Sequence, residues 1–155
     1  MIEEIARAIE KYAPDAWVIN YTNPMTLCIK ALYNTFPKIK AFGCCHEVFG
    51  TQYLMVKMLD DMLGIKNVER NDIKVNVVGV NHFTWFTSAY YKGQDIFPIY
   101  KEFAEKYYDS GFNVNYDNLN GSFACRHRVK FDLFRRFNYI AAAGDRHLAE
   151  FCPGD

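Results

Sequence analysis

The chain has 155 residues, half of them apolar and 17% aromatic, with 13 Phe and 11 Tyr, which is enough for one ordinary globular core. Eighteen Lys and Arg balance eighteen Asp and Glu, so no net field draws the chain to nucleic acid or to a membrane surface, and no run approaches the roughly 18 apolar residues of a membrane span. Met1-Ile2-Glu3-Glu4 lacks the basic start and apolar core of a signal peptide, and five cysteines without secretory context read as reduced thiols of a cytoplasmic protein.

Ile2, Ile5, Ala6 and Ile9 recur at helical spacing and predict a short amphipathic helix. Pro14-Asp15 turns the chain into a strand, Ala16 to Asn20, apolar enough to be central in a sheet. Asn23-Pro24 opens the next helix, Asn as cap and Pro at the first helical position, with Leu27, Ala31, Leu32 and Phe36 as its buried stripe. Ile39 to Gly43 is a second strand, followed by a helix from Glu47 to Leu63 that Gly64 stops. Helix, strand, helix, strand, helix is the rhythm of a parallel sheet with crossovers. Ile73 to Val80 is a third strand, and Phe83 to Tyr91 a fourth that turns at Lys92-Gly93. A helix is expected from Ile99 to Tyr108, a loop from Asp109 to Ser122, a basic helix from Ala124 to Phe137 and a last short helix from Asp145. A lone first helix and a central-looking first strand leave an unpaired sheet edge, so the expectation is a fragment of a larger fold, or a chain that folds with a partner.

Two short segments carry the chemistry. Gly43-Cys44-Cys45-His46 and Val80-Asn81-His82 each leave an apolar strand. Cys45 and His82 offer a thiolate and an imidazole, too few for a closed structural metal site but enough where a substrate adds two oxygens. The alternatives are a small core Cys and a hydrogen-bonded strand-end His. The adjacent Cys44 and Cys45 are poorly placed to bridge each other. His46, with an ordinary pKa of about 6.5, suits proton donation to a leaving group, or simply faces water at a helix start. The amides of Asn23 and Asn81 suit sugar hydroxyls or a nicotinamide ribose, and Asn23 also suits a cap. Between Ala124 and Glu150 six Arg and Lys stand against three acids, a local excess that suits a carboxylate or phosphate, or a solvated helix face. Gly43, Gly50, Gly64 and Gly79 stand singly, so no glycine-rich phosphate cradle is present.

Taken in order, Ile19-Asn20-Tyr21-Thr22-Asn23-Pro24-Met25, Gly43-Cys44-Cys45-His46-Glu47-Val48 and Gly79-Val80-Asn81-His82-Phe83 resemble glycoside hydrolase family 4. The Cys-Cys-His-Glu version and the segment Gly144-Asp145-Arg146-His147-Leu148-Ala149-Glu150-Phe151 look most like its α-galacturonidase branch, with the α-galactosidase branch a near relative. The resemblance implies an α/β fold: residues 1–43 as the end of a parallel, Rossmann-like NAD-binding unit without its Gly-rich phosphate loop, and 44–155 as part of a substrate- and metal-binding domain of lactate/malate dehydrogenase-like architecture, incomplete. It implies NAD and Mn2+, or another divalent ion, and cleavage of an α-galacturonide or α-galactoside by oxidation at C3, metal-assisted elimination and water addition. It places Cys45 and His82 on the metal, His46 on the leaving group, and Asn23 on substrate and cofactor. Arg128 and Arg146 are candidates for a uronate carboxylate by charge pairing. The tyrosine base of some relatives has no match where this chain reads Val129-Lys130-Phe131-Asp132. The partners implied are a small sugar or uronic-acid glycoside and, at full length, further copies in a homo-oligomer. Two other readings stand beside this one: a non-catalytic remnant or assembly half of such an enzyme, and a 2-hydroxy-acid dehydrogenase-like oxidoreductase, which needs no Cys45.

Overall fold

The computed structural model describes residues 1–114 and 125–152, which fall into two compact units, Met1–Cys45 and His46–Asp155. The first unit contains α1 (Ile2–Tyr12), β1 (Trp17–Asn20), α2 (Met25–Thr35) and β2 (Lys40–Gly43). β1 and β2 pair in parallel, from Trp17 opposite Lys40 to Asn20 opposite Gly43. Strand side chains alternate, so Val18 and Ala41 turn toward the core of Ala6, Leu32, Phe36 and Ile39. Trp17 and Ile19 stay 70% and 54% exposed on the other face, where Trp17 meets Phe42 edge-on. The expectation of a central strand is therefore not met among the described residues: β1 is covered on one face only.

The start of α2 differs from the sequence reading. Pro24, not Asn23, is the N-cap, no side chain caps the helix, and the Asn23-Pro24 peptide is cis. Of the expected stripe Leu32 and Phe36 are buried and Ala31 is half-buried, Met25 and Cys28 join them, and Leu27 is 63% exposed. Met25, Cys28, Leu32 and Phe36 follow helical spacing along one face, and Leu27, two residues after Met25, lies about 200° around the helix from it.

The second unit contains α3 (Glu47–Leu63), a 3-10 turn (Arg70–Asp72), β3 (Ile73–Val80), β4 (Phe83–Tyr91), β5 (Gln94–Asp95), α4 (Phe97–Lys106), α5 (Arg128–Phe137), β6 (Ile140–Ala141) and α6 (Asp145–Phe151). β3, β4 and β5 follow one another in an antiparallel sheet, and β6 also pairs with β4. The third strand thus does not extend the parallel pair. Helical rhythm marks crossovers only while strands alternate with helices, and β3 and β4 are joined by a two-residue turn, which can only reverse direction. Leu54, Met55, Met58 and Leu59 of α3 pack with Ile73, Phe86, Tyr100, Phe103, Phe131 and Ile140 in the main core. The high aromatic content is used here: Tyr100 meets Phe134 at 4.9 Å, and Phe103 meets Phe112 at 4.8 Å, both edge-on. A smaller core holds Leu133, Ala141, Ala143 and Leu148 against Phe83 and Trp85.

α5 begins at Arg128 rather than Ala124, and α4 ends at Lys106. Residues 115–124, including most of the expected loop, lie outside the described residues. Gly64 closes α3 at φ 66° and donates to Asp60 and Leu59. Among the described residues no helix is long and apolar enough to cross a membrane.

Gly79 deserves a test because it shapes the hairpin that carries His82. Its φ is 115°, and a Cβ there would run into the Phe83 carbonyl oxygen. Gly79→Ala is expected to destabilise the second unit by more than about 1 kcal/mol, read as a lowered urea midpoint with unchanged slope.

Candidate functional site

The turn between β3 and β4 is Asn81-His82, and His82 has φ 65°. A two-residue hairpin turn calls for this left-handed backbone, and His is among the side chains that adopt it more readily. It points the imidazole toward Glu47, the first residue of α3: His82 Nε2 lies 3.7 Å from Glu47 Oε1. The Glu47 side chain is only 8% exposed, and its Oε1 is buried with no hydrogen-bond partner among the described residues. The positive end of the α3 dipole favours a carboxylate at this position, but the orphaned oxygen still lacks a partner of its own.

His147, on α6, supplies a second ring. Its Nε2 lies 3.8 Å from the same Glu47 oxygen, its Nδ1 lies 3.5 Å from Glu150 Oε2, and the ring stacks on His82 at 3.9 Å and 13°. Nearly parallel rings at that spacing cannot both direct an in-plane lone pair at one ion. Of the two, His82 lies with Cys45 and Glu47 in one cluster of donor atoms, and His147 stacks against it.

Cys45 is one peptide bond before the second unit and two residues from Glu47, so the run of the chain itself brings its thiol beside that carboxylate. Donor atoms of Cys45, Glu47 and His82 lie within 4.8 Å of one another. A divalent ion bonded at about 2.0–2.3 Å holds its ligands roughly 3–4.5 Å apart, so the set needs little adjustment. Thiolate, carboxylate and imidazole are all ligands of borderline divalent ions, and an ion would give Glu47 Oε1 the partner it lacks. The residues fit a metal with positions left open for substrate oxygens.

Deeper in the same unit lies a buried polar cluster. Lys130, on the first turn of α5, is 1% exposed. Its Nζ donates to Thr51 Oγ1 and, at 3.5 Å, to the Ala142 carbonyl. Thr51 donates its own proton to Ala142 O at 2.7 Å. Asp145 Oδ1 accepts from the Lys130 backbone N–H at 3.2 Å. Cys125 Sγ accepts from the N–H groups of His127 and Asp145, both at 3.4 Å. Burial pulls the Lys130 ammonium down to about 8, against the opposing pull of Cys125, Asp145 and Glu47. Burial, then Lys130, holds His127 well below its usual value. Burial, then Asp145, raises the Cys125 thiol.

The residues singled out in the sequence are distributed unevenly. Cys45 and His82 come together, with Glu47 and His147 added by the structure. His46 is the exposed N-cap of α3, and Asn81 is half-buried in the hairpin turn. Asn23 is exposed and belongs to the first unit. Arg128 and Arg146 are exposed on the first turns of α5 and α6. Glu47 was visible in the Cys-Cys-His-Glu run and His147 in Gly-Asp-Arg-His, but nothing local distinguished either from a helix-start residue. Lys130 corrects the reading of α5 as a solvated basic face: Arg135 and Arg136 face water, and Lys130 does not.

A mixed α/β scaffold with an open cation-ready cluster at a hairpin turn is the class that fold and site define. The chain belongs to the family 4 glycosyl hydrolases: the family model matches residues 1–61, and the model of the family's C-terminal domain matches residues 77–153. It is 61% identical over 99% of its length to the α-galacturonidase of Thermoanaerobacterium saccharolyticum, and 57% identical over 97% to that of Bacillus subtilis. Identity to the α-galactosidase of Bacillus subtilis is 30%. The chain spans 34% of the length of these α-galacturonidases. A Bacillus subtilis crystal structure described as that of a glucosidase, LplD, superposes with a TM-score of 0.90 at 54% identity, covering 99% of this chain and 36% of that one. A 6-phospho-α-glucosidase from gut microorganisms, in complex with NAD and Mn2+, shares the fold at 24% identity and a TM-score of 0.75, covering 100% of this chain and 33% of that one.

Proposed function

We propose that this chain is the metal- and substrate-binding portion of an α-galacturonide hydrolase, which uses NAD and Mn2+ to cleave the glycosidic bond by oxidation at C3, elimination and water addition. The observation that carries this reading is the convergence of Cys45, Glu47 and His82 around a buried carboxylate oxygen without a partner, in a chain with α-galacturonidase homologues at 57–61% identity. Cys45, Glu47 and His82 would hold the ion. When bound, it supplies Lewis-acid polarisation of the sugar oxygens that complete its coordination.

Each of the chain's own groups has a part in this reading. His147 keeps the His82 ring turned toward Glu47. His46 donates a proton to the departing oxygen at C1. Asn81 and Asn23 hydrogen-bond sugar hydroxyls, and Asn23 also meets the cofactor. Arg146 and Arg128 pair with the uronate carboxylate. NAD is a different matter: its pyrophosphate needs a Gly-rich turn opening a helix, the glycines here stand singly, and no step is assigned to this chain's residues through it.

The test is an assay of an aryl α-galacturonide and the matching α-galactoside, with NAD and Mn2+, on a polypeptide of the relatives' length that carries this chain. Preference for the galacturonide, with loss of C2 deuterium to solvent, is expected. Turnover that needs neither NAD nor metal overturns the reading.

A further inference from the structure

We propose that Lys130 is the catalytic base of this site: its side-chain amine takes a proton from the sugar carbon next to the ion-held oxygens and later returns one. This deepens the proposed function and rests on it.

The first argument is position. Glu47 and Thr51 are four residues apart on α3, hence on one face and about 6 Å from each other. Thr51 Oγ1 accepts from Lys130 Nζ, so the amine sits one helical turn from the carboxylate that meets His82. The Glu47 carboxylate acts on the charge of that amine, so the two groups share one neighbourhood.

The second argument is hydrogen bonding. The single Thr51 hydroxyl proton goes to Ala142 O, so Thr51 can only accept from Lys130. A neutral amine has two N–H groups, and Thr51 Oγ1 and Ala142 O accept them. Its lone pair is then uncommitted among the described residues. The hydrogen bonds that hold Lys130 thus leave free the one orbital a base needs.

The third argument is electrostatic. A buried ammonium is costly unless a carboxylate pairs with it, and Lys130 has only neutral partners for its Nζ. The charged and titratable groups around it are Glu47 from α3, Asp145 from α6, and Cys125 and His127 from the segment before α5. Their pull does not restore the ordinary lysine value, so a useful fraction of the amine is neutral near pH 8.

The step balances within the named groups. The Lys130 lone pair forms an N–H bond as the C2–H bond breaks. The C2–H electron pair moves into the neighbouring C3 carbonyl. The C1–O bond then breaks with its electrons, and the departing oxygen takes a proton from His46. Re-addition of water and return of the Lys130 proton to C2 reverse the sequence.

The experiment uses a polypeptide of the relatives' length that carries this chain, with Mn2+ and a methyl 3-keto-α-galacturonide, a probe already oxidised and therefore independent of NAD turnover. Exchange of the C2 hydrogen in D2O is followed by NMR, and Mn2+ binding is measured separately. The unsubstituted protein is expected to exchange, with a rate that rises with pH as the amine loses its proton. Lys130→Met and Lys130→Arg are expected to lose at least about 100-fold in exchange while binding Mn2+ as before. Arginine retains the charge but cannot act as a base, and it covers the case in which the Met variant does not fold. Exchange that persists in both variants overturns the inference, as does loss of exchange together with loss of Mn2+ binding, which marks a structural role. No exchange by the unsubstituted protein overturns the proposed function and this inference with it.

Discussion

Removing any one of Cys45, Glu47 and His82 is expected to abolish Mn2+ binding at concentrations that saturate the unsubstituted chain. Loss of a residue that merely orients a ligand costs about 10–100-fold in metal affinity, so loss of a ligand itself should cost more. Three protein donors leave little redundancy: Cys45→Ser, Glu47→Gln and His82→Ala each leave two. The variants differ in their effect on the apo protein. Glu47→Gln removes a buried carboxylate whose Oε1 has no partner, so it should unfold no more easily than the parent. His82→Ala keeps a Cβ at φ 65° and loses the stack on His147, so it should be slightly less stable. His147→Ala belongs in the orienting class, with a loss of about 10–100-fold. Titration calorimetry and the Mn2+ EPR signal separate these outcomes without any need for turnover. Normal Mn2+ affinity in the Cys45, Glu47 or His82 variant removes that residue from the ligand set.

How much of this was legible in the sequence depends on how local each signal is. α3 and the strands β3 and β4 were, because Gly64 and Lys92-Gly93 punctuate them and the periodicity between is strong. The strand pairing was not: helix–strand rhythm describes β1 and β2 but carries no information about where β3 joins, and its partner is set by a two-residue turn. In α2, Leu32 and Phe36 were legible as core, but Met25 and Cys28, not Leu27, continue their spacing toward the start of the helix. For the site, the ordered motifs and their family resemblance singled out Cys45 and His82. Glu47, His147 and Lys130 depend on meetings between segments 35 to 100 residues apart in the chain. A Lys in a run of six basic residues gives no sign in the sequence that it alone is buried.

That burial leads to an expected dependence of stability on pH. The Lys130 ammonium titrates at about 8 in the folded chain and at about 10.4 when unfolded. Between these values the unfolded chain holds a proton that the folded chain has released, so stability rises with pH across the window. The full benefit is present above about pH 10.5 and is lost as pH falls through about 8. The span is worth about 3 kcal/mol. Tyrosines, cysteines and exposed lysines titrate in the same range, so the quantity to measure is the difference between the parent and Lys130→Met in urea unfolding from pH 7 to 10.5. That difference should shrink as pH rises. At pH 7 the Met variant should be at least as stable as the parent, since Thr51 still donates to Ala142 O and no partner is orphaned, and replacing a buried charge by an apolar side chain of similar volume is often neutral or stabilising. A flat difference would mean that Lys130 keeps an ordinary lysine pKa in the folded chain. A falling one means that this position holds an amine at a cost in stability, which packing alone does not explain and proton transfer does.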